Sequence, residues 1–82
     1  SEPVQELIEI AAGISPKNIQ EAFHDLTQLR EETLTRFNVG LIDLRGRARA
    51  EEIYWNACHR ILKHMRELTY VPEELVDLEK IL

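Results

Sequence analysis

Residues 51–64 read EEIYWNACHRILKH, and the spacing of their apolar side chains decides the fold. Stepping about 100° per residue, as an α-helix does, brings Tyr54, Cys58, Ile61, Met65 and Leu68 close to one line. Ile53 and Ala57 lie to one side of that line, and Trp55 and Leu62 to the other. The apolar arc spans roughly 200°, wider than the stripe of an ordinary surface helix. Such a helix sits centrally between neighbours or offers one flank to another surface. The same period extends from about Leu44 to Leu68, and no alternating strand pattern persists anywhere in the chain.

Working outward, the punctuation is helical as well. Val4, Leu7, Ile8 and Ala11 share one face of a first helix over about residues 3–12, with Pro3 in its first turn and Gly13 at its end. Ser15 is an expected N-cap and Pro16 the first residue of a second helix running to about Val39. Its expected inward stripe is Ile19, Phe23, Leu26, Arg30 or Leu29, Thr33 or Leu34, and Phe37. Gly40 is the expected left-handed terminator, and Asp43 the expected N-cap of the long helix. Pro72 suits the start of a fourth helix, with Glu73 and Glu74 at its positive end and Leu75, Val76, Leu78 and Leu82 inward. Short connections make neighbours antiparallel. The fold expected is all-α, an antiparallel bundle of three to four helices forming a single domain over residues 1–82.

Composition narrows the function. The chain has 82 residues and a net charge of −5, from 15 acidic and 10 basic side chains. A nucleic-acid surface needs clustered excess Lys and Arg, and the run Arg45, Arg47, Arg49 is offset by Glu51 and Glu52. No apolar run approaches a membrane span, and the acidic start SEPVQELIEI is unlike a signal peptide. A single cysteine forms no internal disulfide, which suits a reducing, cytoplasmic setting. The start without methionine, and the stop at Leu82 within the periodic run LVDLEKIL, suggest a piece of a longer protein.

The residues with chemical potential read mainly as structure. Cys58 and His59 are neighbours on a helix, so their side chains diverge by about 100° and cannot pair as nucleophile and base. In a hairpin that turns at residues 40–42, position 59 stands level with position 24. That places His24 and Asp25 beside Cys58 and His59, with three readings open: a polar clamp of His24, Asp25 and His59, unrelated solvated side chains, or a metal site. A carboxylate that orients an imidazole is a common structural device. Zinc needs a further convergent ligand, and no CxxC or HxxxH spacing supplies one. Trp55 and Leu62 read either as core or as an interface flank. No phosphate-binding glycine loop, nucleophilic triad or paired catalytic carboxylates are present, and nothing marks Lys17, Lys63 or Lys80 as a Schiff-base lysine. No catalytic, cofactor-binding or metal-binding residue is therefore assigned.

Residues 22–61, AFHDLTQLREETLTRFNVGLIDLRGRARAEEIYWNACHRI, resemble a segment of the bacterial biosynthetic arginine decarboxylases. The resemblance rests on His24-Asp25, Gly40, the run Leu44, Arg47, Ala48, Ala50, Glu51 and Tyr54, and the pair Cys58-His59. YVPEELVDLEKIL, residues 70–82, is similar to the run that leads back into that enzyme. The resemblance implies a pyridoxal-phosphate lyase that also uses magnesium and converts arginine to agmatine and carbon dioxide for polyamine (spermidine) synthesis. It implies a (β/α)8 barrel and a β-barrel, with this chain as the helical bundle inserted between the halves and excised here from the larger enzyme. The parent would be a homo-tetramer or other homo-oligomer. The bundle's partners would be the other domains and subunits of its own enzyme, and it would be catalytically inactive alone. The alternative is a freestanding helical module that binds another protein through Trp55 and Leu62.

Overall fold

The computed structural model describes residues 1–68 and contains three helices, α1 (Glu2–Ala12), α2 (Ile19–Asn38) and α3 (Leu44–Leu68). No strand occurs among the described residues. The expected fourth helix, with Pro72, Leu75, Leu78 and Leu82, lies outside them.

Local chemistry accounts for most helix ends. The α2–α3 turn carries a Schellman arrangement. The Leu41 N–H donates to the Arg36 carbonyl at 2.8 Å and the Gly40 N–H to the Phe37 carbonyl at 3.1 Å. Gly40 adopts φ 79°, a conformation that a Cβ would oppose. Asp43 then caps α3, its Oδ1 accepting from the Gly46 N–H at 2.9 Å. Gly46 is small for a reason of packing: a Cβ there would meet the Cβ of Ile42 at 3.0 Å. Ile42 is buried and closes this end of the bundle over the first turn of α3. Gly13 caps α1 with φ −80°, so it ends the helix without needing the left-handed region.

The start of α2 differs from the sequence expectation. The cap is Asn18, extended at φ −153° and ψ 173°, and its Oδ1 accepts from the Glu21 N–H at 2.9 Å. Ser15 and Pro16 stay outside the helix. Pro16 is almost completely buried and Ile14 is buried too, so the 13–18 connection is tied down as part of the core. Both caps are chemically sound, and burial of the proline ring selects the later one.

The core joins all three helices. It contains Val4, Leu7 and Ala11 from α1, Ala22 and Leu29 from α2, and Ala50, Ile53, Ala57, Ile61 and Met65 from α3. Leu26, Phe37, Tyr54 and Ile8 pack against its edge. Two expected stripes are therefore rotated. On α2 the buried residues are Ala22, Leu29 and Thr33, whereas Phe23 is 75% and Ile19 66% exposed. On α3 the buried line runs through Ala50, Ile53, Ala57, Ile61 and Met65. Tyr54 and Cys58 are only half-buried, and Leu68 is exposed. Alanines at the contact let the helix axes approach closely, while the larger residues sit beside the seam. Among the described residues, Thr33 is the buried polar side chain of the core, and its hydroxyl donates to the Leu29 carbonyl at 3.0 Å.

Two arginines tie α1 to the hairpin. Arg36, its side chain 14% exposed, donates to Glu6 across the helices at 3.0 Å and also pairs with Glu32 one turn away. These carboxylates raise the Arg36 pKa above its ordinary value, the Glu32 hydrogen bond being the largest cause. Arg60 donates from Nη2 to the Ala11 carbonyl at 2.9 Å, satisfying a carbonyl at the C-terminal end of α1.

Candidate docking face

The functional candidate is the side of the hairpin left uncovered by α1. Arg47 stacks over the Phe37 ring at 4.7 Å, and the Tyr54 phenol is influenced electrostatically by Arg30. These pairs step in opposite chain directions, so α2 and α3 run antiparallel with their residues nearly level as the turn position requires. Between them lies a groove of about 210 Å3 whose lining includes Arg30, Leu34, Arg47, Glu51, Tyr54 and Trp55.

Trp55 forms one wall and meets Tyr54 edge-on, with ring centroids 5.5 Å apart and planes at 71°. It is 65% exposed and Leu62 is 58% exposed. Seven residues separate them, so they point the same way along α3. Phe23 stands seven residues before Arg30 and continues the same side of α2. The interface reading of Trp55 and Leu62 thus corresponds to real exposure, and Phe23 joins it because it is absent from the core. An aromatic anchor beside a groove is the type of feature that dominates binding at protein interfaces.

Tyr54 and Cys58 share the inner edge of this face. The Cys58 side chain is the largest influence holding the Tyr54 phenol above its usual value, burial adds to it, and Arg30 acts in the opposite direction. Cys58 is a free, half-buried thiol on this edge.

The proposed clamp is not formed. His24 and His59 are exposed and Asp25 is half-buried. No hydrogen bond or ion pair joins them among the described residues. They are level along the hairpin, but the rotation that buries Ala22 and Ala57 turns both imidazoles outward. Among the described residues, no three His, Cys, Asp or Glu side chains converge to hold a metal ion. No helix there is long and apolar enough to cross a membrane.

Sequence reasoning missed Arg36 and Arg60. The Glu32–Arg36 spacing of four was a visible signal for a local pair. Nothing local points to Glu6 or to the Ala11 carbonyl. The placement of Arg30 and Arg47 in one groove was equally hidden, since it depends on the rotation of both helices.

Among the described residues, three helices packed around one core, with exposed apolar side chains on the hairpin, define a small helical bundle domain. The chain belongs to the arginine decarboxylase helical bundle domain family, whose model matches residues 1–79. It is 49% identical over 77 residues to the biosynthetic arginine decarboxylase of Gloeobacter violaceus, covering 94% of this chain and 12% of that protein. It is 50% identical over 76 residues to the biosynthetic arginine decarboxylase of Nostoc sp., covering 93% of this chain and 11% of that protein. It is also 38% identical over 81 residues to that of Phocaeicola vulgatus, covering 99% of this chain and 13% of that protein. The chain therefore spans about one eighth of the length of such relatives. No solved structure matches it.

Proposed function

We propose that this chain is the non-catalytic bundle of a biosynthetic arginine decarboxylase, and that it packs against the rest of that enzyme through the α2–α3 face. The parent reaction is decarboxylation of arginine to agmatine, with pyridoxal phosphate and magnesium as cofactors, in the cytoplasm and toward polyamines. The observation that supports this reading is the family match over residues 1–79 combined with an uncovered face carrying Trp55, Leu62 and Phe23. A domain that makes up about one eighth of a polypeptide has a covalently linked partner available at high effective concentration.

Lys17 and Lys63 are exposed, and neither is enclosed as a Schiff-base lysine needs to be. The bundle's contribution is then mechanical: it fixes neighbouring domains, or subunits of a homo-oligomer such as a tetramer.

The test uses the parent enzyme and this chain side by side. Carbon dioxide release from arginine, with pyridoxal phosphate and magnesium supplied, is expected from the parent and not from the chain alone. Trp55→Glu in the parent is expected to lower its thermal midpoint or split its oligomer in sedimentation. Decarboxylation by the isolated chain, or a Trp55→Glu parent with unchanged assembly and stability, would overturn the proposal.

A further inference from the structure

Arg30 and Arg47 reach the same groove from opposite helices. Each guanidinium has an aromatic neighbour, and Glu51, on the same groove, is the acid paired with Arg47. Arg47 Cζ lies 4.7 Å from the Phe37 ring centroid, within cation–π range. Its nearest acid is Glu51, with Nε to Oε1 at 3.9 Å, too long for a hydrogen bond. Arg30 sits beside the Tyr54 phenol, and no salt bridge holds it among the described residues. This contrasts with Arg36, whose guanidinium is divided between Glu6 and Glu32. In a chain of net charge −5, with 15 acidic side chains, the groove thus gathers two arginines against one glutamate, Glu51. Its walls are the rings of Tyr54 and Trp55 and the side chain of Leu34.

Guanidinium groups match a carboxylate in plane and charge. The volume, about 210 Å3, suits an acidic side chain together with a short apolar neighbour. Nearly nine tenths of the relatives' length lies outside the matched region, so the occupant is most economically supplied by the same polypeptide.

We propose that the α2–α3 groove receives a carboxylate-bearing segment of the remainder of the enzyme, held between Arg30 and Arg47 with Trp55 packed beside it. The inference rests on the docking reading above and specifies its chemistry. Trp55 and Leu62 provide contact area, and the two arginines set register and select the segment.

Zero-length cross-linking in the full-length enzyme tests it. Arg30→Lys and Arg47→Lys, made separately, keep the charge and introduce an amine that a carbodiimide couples to an adjacent carboxylate. Peptide mapping by mass spectrometry should then find at least one of these positions amide-linked to an Asp or Glu outside residues 1–82. A photoreactive benzoylphenylalanine replacing Trp55 reports docking independently. Capture from position 55 with no amide beyond Glu51 at positions 30 and 47 would overturn the carboxylate assignment and leave docking in place. No capture from position 55, with no such amide, would overturn both.

Discussion

The rotation of α2 makes a prediction that inverts what residue size suggests. Leu29 is 1% exposed at the junction of the three helices, whereas Phe23, the larger side chain, is 75% exposed. Leu29→Ala removes three carbon atoms from the core. At about 0.8 kcal/mol each, the transfer loss is about 2.4 kcal/mol. A partly uncollapsed cavity brings the cost to about 3–4 kcal/mol. Phe23→Ala gives up only about a quarter of an aromatic burial worth roughly 3 kcal/mol. Alanine's better helix propensity returns about 0.5 kcal/mol, leaving a loss near zero. A chain of 82 residues has roughly 4–12 kcal/mol of total stability. Leu29→Ala should therefore shift a urea transition by a large fraction of its midpoint, and Phe23→Ala hardly at all. The assay is helical circular dichroism of the isolated chain against urea. If Phe23→Ala costs more than about 2 kcal/mol, or Leu29→Ala less than about 1, the face assigned to α2 is wrong.

The other predictions are briefer. Asn18→Ala should cost about 1 kcal/mol of stability by removing the α2 cap, while Ser15→Ala should be silent, and equilibrium unfolding of both separates the two possible helix starts. His24→Ala and His59→Ala should each change stability by less than about 0.5 kcal/mol in the same assay, because both imidazoles are solvated; a loss of 1–3 kcal/mol, about what a buried paired group would show, would restore the clamp. Tyr54 predicts an alkaline effect. Its folded pKa is raised above the ordinary value of 10.0, so the fold favours the neutral phenol. That contribution is complete below the unfolded value and lost as pH rises through the folded one. Tyr54→Phe should flatten this alkaline decline when thermal midpoints are followed from pH 8 upward to about 11.

Much of this domain is local, and local features were legible. The α2–α3 turn needed a residue that tolerates positive φ and a capping carboxylate, and Gly40 and Asp43 provide them within three positions of each other. The helical period of the long element, its extent from Leu44 to Leu68, and the family to which it belongs could also be read directly. The outward flank bearing Trp55 and Leu62 was visible as excess apolar arc, since a helix can bury only part of its circumference against its neighbours. The start of α2 was not, because Ser15-Pro16 and Asn18 satisfy the same capping chemistry. The choice between them is made by burial of Pro16, which no local rule reports.

The sequence by itself determined that this chain is a helical bundle, where its hairpin turns and to which enzyme family it belongs. Those properties follow from period, from turn chemistry and from motifs that lie close together along the chain. Only the tertiary structure decided how each helix is rotated about its own axis. A stripe through Phe23 and one through Ala22 are both compatible with the same period, and close packing of alanines against Leu7, Leu29 and Ile61 selects the second. That rotation sends His24 and His59 to solvent, leaves Phe23 exposed as Trp55 and Leu62 are, and directs Arg30 and Arg47 into one groove. Longitudinal position can be counted from the turn, but azimuth is set by the simultaneous fit of three surfaces, and that fit is a property of the packed molecule.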